Sequence, residues 1–125
     1  MQKEIKGDAL VLRGMFLFDL CRFYEYPYMK DNGASLGMPI VTQTGMVENK
    51  QARNTLAECY IQIIKDMTQS IGLIGEDFQK RHINNWGALT LLSRVYLYKG
   101  DNANALNTAQ EDLYMTFVHI ENIIE

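Results

Sequence analysis

The sequence predicts an all-α chain of about four main helices set in hairpins, with one long irregular loop. Three observations carry that reading. The stretch from Gly7 to Tyr24 (GDALVLRGMFLFDLCRFY) is apolar on most of a helical circumference. Leu56, Tyr60, Ile63, Ile64, Met67 and Ile71 recur at helical spacing. Two further helical patterns flank a sharp turn at Gly100-Asp101-Asn102.

In the first helix Asp8, Asp19 and Arg22 share one narrow strip at 100° per residue, so the wet face is thin. Arg13 sits off that strip, beside Ala9, Leu10, Phe16 and Leu17. A guanidinium there needs carboxylate or carbonyl partners. It reads first as a structural tie from helix to loop, and second as a ligand contact. Gly14, inside the helix, marks close packing against another helix. Pro27 then disfavours helix at Tyr26, and Asp31, Asn32 and Gly33 supply turn chemistry. The chain stays irregular over the loop 26–53, long enough to expect a function or an unusual anchor. Met38, Ile40 and Val41 are expected to pin it against the helices as a short extended piece.

Thr55-Leu-Ala-Glu58 is a capping box, in which the threonine oxygen and the Glu58 carboxylate each take a free N–H of the first turn. Lys65, Asp66 and Gln69 fall outside the apolar stripe that follows, and Gly72 and Gly75 close this helix. Asn84 or Asn85 caps a third helix running to about Lys99, with Leu89, Leu92, Val95 and Tyr96 facing inward. The fourth begins near Asn102, and its stripe of Leu106, Ala109, Leu113, Phe117, Ile120 and Ile124 reaches the end of the chain. A stripe that long expects a partner helix, a second copy of the chain included, so a homo-oligomer through the last helix is an expectation.

At 125 residues, residues 1–125 read as a single helical domain. Apolar residues are 47%, charged residues 22% and the net charge is −3, an ordinary globular balance that gives no support to nucleic-acid binding. Arg13 and Asp19 break the N-terminal apolar run, so it reads neither as a signal peptide nor as a membrane span. Cys21 and Cys59 lie at core-facing helical positions and read as buried thiols, with their pairing left open. The carboxylates Asp8, Asp19, Glu58, Asp66, Glu76 and Asp77 form no evident acid/base pair, and His82 and His119 lack ligand partners at metal spacing. Ser35, Ser70 and Ser93 have no base in reach, and no phosphate or dinucleotide loop occurs. No catalytic residue, metal or cofactor is predicted, and the chain is not expected to be an enzyme.

The third and fourth helices carry a repeat signal. Leu92-Ser93-x-x-Tyr96, then Gly100, Ala105 and Ala109, follow tetratricopeptide spacing, with Ser93 and Ala109 keeping small groups where paired helices touch. The aromatic run Phe23-Tyr24-x-Tyr26-x-Tyr28 leads off the first helix into the loop. Its rings either plug the end of the bundle or stack on sugar rings. Tyr26, Tyr28 and the adjoining Asn32 are the candidate ligand contacts. Trp86 reads as core or shoulder of the third helix.

Four segments in order resemble the SusD/RagB family. They are GDALVLRGMFLFDLCRFY with Pro27, GMPIVT at 37–42, ARNTLAECYIQIIKDM at 52–67, and ALTLLSRVYLYKGDNANALNTA at 88–109. Gly14 and Ser93 stand where the family usually has alanine, and the tail beyond Ala109 departs from its pattern. The resemblance implies that Arg13, Asp19, Arg22, Tyr60, Asp66, Arg94, Tyr96 and Gly100 hold the helical scaffold. It also implies an outer-membrane lipoprotein at the cell surface that captures glycan, without chemistry of its own, as the lid of a TonB-dependent transporter. Family members are several times longer and start with a lipoprotein signal, so the chain reads as a fragment covering the tetratricopeptide-like part, without the signal peptide. The alternative is a standalone tetratricopeptide-like adaptor for a protein or peptide, marked by an exposed groove lined by Asn104, Asn107 or their neighbours.

Overall fold

A computed structural model of the chain describes residues 1–45, 50–75 and 83–125. Glu76, Asp77 and His82 lie outside the described residues, as do positions 46–49 of the long loop. Among the described residues there are four α-helices and one short 3-10 turn, with an isolated β-bridge between Leu36 and Thr55. The helices are α1 (Gln2–Tyr24), α2 (Leu56–Ile71), α3 (Asn85–Lys99) and α4 (Asn102–Ile124). Each packs chiefly on its neighbour in sequence, giving two hairpins, α1/α2 and α3/α4, joined along α2 and α3. This is the all-α, tetratricopeptide-like architecture expected.

Helix α1 starts at Gln2, ahead of Gly7, the expected boundary. Glycine is a poor helix former, but Gly7 is there for a tertiary reason. A Cβ at Gly7 would come within 2.7 Å of Ile74 Cγ1, just past the end of α2. Gly14 serves the same purpose further along α1, where a Cβ would meet Met67 Cγ at 3.2 Å and the Ile63 carbonyl oxygen at 3.4 Å. With Cys21 these residues make a seam of small groups at seven-residue intervals, and it lets α1 and α2 lie close together.

The long connection is anchored rather than loose over its described residues. Tyr28–Lys30 form the 3-10 turn, and Asn32 and Gly33 both take positive φ (58° and 79°) to reverse the chain. The strand-like piece after it runs back along the start of α2. Leu56 N–H donates to Ser35 O at 2.8 Å, Gly37 N–H to Asn54 O at 2.7 Å and Ile40 N–H to Asn54 Oδ1 at 3.0 Å. Arg53 clamps it by donating to Gly37 O (2.8 Å) and Leu36 O (3.2 Å) while pairing with Glu25 at 2.6 Å. Met38 and Ile40 pack against the core.

Helix boundaries follow the local signals. Thr55 Oγ1 accepts from Glu58 N–H at 3.2 Å and Glu58 accepts from Thr55 N–H at 3.0 Å, so the capping box is complete. Asn84 caps α3 by accepting from Gly87 N–H at 3.0 Å. Gly100 ends it in the left-handed conformation (φ 84°), and Asp101 N–H returns to Tyr96 O at 3.0 Å. Asp101 then caps α4 through Asn104 N–H at 3.2 Å.

The core lies between α1, α2 and α3, and includes Leu17, Phe18, Tyr28, Leu56, Tyr60, Ile63, Met67, Leu92 and Val95. One polar residue breaks the expected pattern: Asp66, placed on the wet side of α2, is fully buried. The α4 pairing face also differs from its apolar stripe. Ala105 and Thr108 are buried, whereas Leu106, Leu113, Phe117, Ile120 and Ile124 are exposed. What holds α4 to α3 is short and partly polar. Ser93 Oγ donates to Ala105 O at 2.9 Å, Thr90 Oγ1 donates to Asp112 at 2.7 Å, and the Trp86 and His119 rings lie 4.9 Å apart.

Candidate functional site

Arg13 reaches α2, not the loop. Its Nε donates to Asp66 Oδ2 at 2.7 Å and a terminal nitrogen to Oδ1 at 2.6 Å, a two-pronged pair that Gln62 completes by donating to Oδ1 at 2.7 Å. The hydrogen bond to Asp66 holds the Arg13 guanidinium above its ordinary pKa. Buried charge needs such partners, which is why Asp66 tolerates a side-chain exposure of 1%. Above the pair opens a groove of about 440 Å³ walled by Leu12, Phe16 and Leu20 of α1 and by Pro39, Ile40 and Val41.

At one end of the bundle aromatic rings interlock. Tyr28 and Tyr60 lie 4.8 Å apart, and Phe18 meets Tyr60 edge-on at 6.1 Å and Tyr98 at 5.4 Å. Arg22 pairs with Asp19 at 3.0 Å and stands 4.6 Å from the Phe23 ring centre. Arg22 and Arg94, close to the Tyr98 hydroxyl, lower its pKa. Burial pushes the Tyr60 hydroxyl up to about 12, so its ring serves packing rather than proton transfer. Tyr98 is a member of this cluster that sequence spacing did not single out; its place depends on α1 and α3 meeting in space.

The three candidate ligand contacts have different surroundings. Tyr28 is turned into the core at 8% exposure, its ring filling the space that a side chain at Gly33 would need. Tyr26 stays exposed, with Lys30 Nζ 3.2 Å from its ring centre. Asn32 is exposed in the turn itself. Tyr96 is half-buried and Gly100 forms the α3 end. Tyr96 and Asn104, with Ile61, Ile64, Lys99 and Asp101, line a second groove of about 450 Å³ between α2 and the α3/α4 turn. Among the described residues no three His, Cys, Asp or Glu side chains gather as a metal site, and no helix is long and apolar enough to cross a membrane.

The arrangement offers surfaces and a rigid frame, and known proteins share it. A family model described as "Starch-binding associating with outer membrane" matches residues 1–97. A Bacteroides vulgatus structure, described as a candidate sugar-binding protein, shares 54% identity and a TM-score of 0.85 over 90% of this chain and 25% of its own. A SusD superfamily protein from Bacteroides thetaiotaomicron shares 40% identity and a TM-score of 0.86, over 89% of this chain and 24% of its own. A SusD-like carbohydrate-binding protein from Bacteroides vulgatus shares 30% identity and a TM-score of 0.80, over 90% and 25%. No curated protein matches. The chain thus spans about a quarter of the length of these solved relatives. With the family model spanning most of its residues and the same helices in the same order, the chain belongs to the SusD-like family.

Proposed function

We propose that this chain is the non-catalytic helical scaffold of a SusD-like glycan-binding lipoprotein of the outer-membrane surface, acting with a TonB-dependent transporter in polysaccharide uptake. The observation that carries the reading is the family match over residues 1–97, joined to helical relatives about four times as long. The SusD superfamily is non-catalytic and generally glycan-binding. Residues 1–125 then form one helical portion of a larger domain. Arg13, Asp66, Asp19, Arg22, Tyr60, Arg94, Tyr96 and Gly100 serve its frame, and exposed Tyr26 with Asn32 offers a minor sugar contact beside a main site built elsewhere.

The test is calorimetric titration of the full gene product with starch oligosaccharides and a panel of other glycans, alongside fractionation of the outer membrane. Saturable glycan binding in the outer-membrane fraction is expected. A product that binds no glycan and stays out of that fraction would sink the reading. The groove at Tyr96 and Asn104 favours one alternative, a tetratricopeptide-like adaptor taking an extended peptide. Peptide binding by the product, with no glycan bound, would select it.

A further inference from the structure

Cys21 on α1 and Cys59 on α2 have no role in the scaffold reading, yet the register of the two helices brings them level. Going down α1, Gly7 meets Ile74 and Gly14 meets Met67, each step of seven matched by a step of seven back along α2. The next step reaches Cys21 opposite Cys59 and Tyr60. Both thiols are buried in the same core cluster, both are free, and both lie near the Met38 backbone, to whose carbonyl Cys59 Sγ donates at 3.2 Å. Gly37 makes room for them, since a Cβ there would stand 2.7 Å from Cys59 Sγ. Glycines in the α1/α2 seam bring the backbones near, the condition a disulfide imposes on its two Cα atoms.

We propose that Cys21 and Cys59 form an oxidisable dithiol, which closes into a disulfide tying α1 to α2 when a disulfide oxidant reaches it. In the first exchange the Cys59 thiolate attacks the oxidant's S–S bond, forms a mixed disulfide and releases one thiol. Cys21 then loses its proton, attacks Cys59 Sγ and releases the second thiol. Two thiol protons and two electrons leave the protein, and the oxidant is reduced to two thiols. The nearness of the two thiols favours this order: their action on each other lowers Cys59 to about 7 and, with burial, raises Cys21. Gly37 and Met38 lie against Cys59 Sγ, so the first exchange requires them to move aside. An exported location would place the chain among such oxidants, but the cross-link does not depend on that reading.

The experiment treats the folded 125-residue chain with oxidised glutathione, without denaturant, and reads intact mass and peptide map under non-reducing conditions. A loss of two hydrogen masses and a Cys21–Cys59 cross-linked peptide are expected, with a melting temperature higher by about 10 °C that dithiothreitol reverses. Cys21→Ala should stop at a mixed disulfide with glutathione on Cys59. Two thiols that remain fully alkylatable after denaturation, or a cross-link that forms only in denaturant, would overturn the proposal.

Discussion

The two hairpins differ in what they bury. In α1/α2 the seam of Gly7, Gly14 and Cys21 closes against α2, which buries Leu56, Cys59, Tyr60, Ile63, Asp66, Met67 and Ser70. In α3/α4 the second helix buries Ala105 and Thr108 alone, and Phe117 is 58% exposed. The first hairpin buries the faces that meet across its seam, the polar Asp66 included, but leaves Ile5, Leu12, Phe16, Leu20 and Phe23 of α1 exposed. The second is held by local capping and a few polar links, and its apolar stripe points away from the bundle. The buried core therefore concentrates in α1/α2 and the segment 35–40 bonded to the start of α2, while α1 and α4 both leave apolar side chains open.

The largest expected effect comes from cutting the buried pair. Arg13→Ala leaves Asp66 charged, buried and short of its main partner, and should cost about 3 kcal/mol or more in denaturant unfolding. Arg13→Lys should recover only some of that, since an ammonium cannot make the two-pronged contact. An unchanged melting temperature would remove Arg13 from the frame. Next comes overpacking of the seam. Gly14→Leu forces a side chain against Met67 and the Ile63 carbonyl and should cost about 1–3 kcal/mol. Leu113→Ala, on the open face of α4, should stay within about 0.5 kcal/mol in a monomeric sample.

Smaller again is the α2 cap. Thr55→Ala should cost about 1 kcal/mol. The hydrogen bond from Thr55 N–H, then that from Asn54, holds Glu58 below the ordinary carboxylate value of 4.5. A carboxylate lowered on folding stabilises above its unfolded pKa and loses that contribution as pH falls through its folded one. Acid unfolding below about pH 4.5 should therefore be less steep in Glu58→Gln. The α4 stripe gives the smallest change in stability but the clearest one in mass. Leu113→Ser with Phe117→Ser should leave the melting temperature almost unchanged and abolish any concentration-dependent dimer in light scattering. A wild-type chain that stays monomeric at high concentration would count against association through α4.

Much of this frame was legible because its signals are local. Thr55 with Glu58, Asn84 and Gly100 each act within four residues, and each helix starts or stops where they say. The capping box and the left-handed glycine need no knowledge of the rest of the chain. Gly7 misled for the opposite reason: its low helix propensity is local, whereas its purpose, the approach of Ile74, is not. Asp66 looked wet beside Lys65, and only a partner 53 residues away explains its burial. Tyr28 and Tyr26 differ by two positions, yet a 3-10 turn sends one ring into the core and leaves the other outside. The α4 stripe was visible in sequence, but pattern alone does not reveal that small and polar groups would take the α3 side.

The seam of small residues also sets a rule for how this chain tolerates changes of length. One residue inserted between Gly7 and Cys21 would rotate everything after it by about 100°. A single insertion just after Gly7 would carry Arg13, Gly14 and Cys21 off the α2 side together, and bulky neighbours would arrive in their place. Length variation among relatives should therefore collect in the connection after Gly45, beyond the segment 35–40 bonded to the start of α2, while α1 between Gly7 and Cys21 keeps a fixed count of residues.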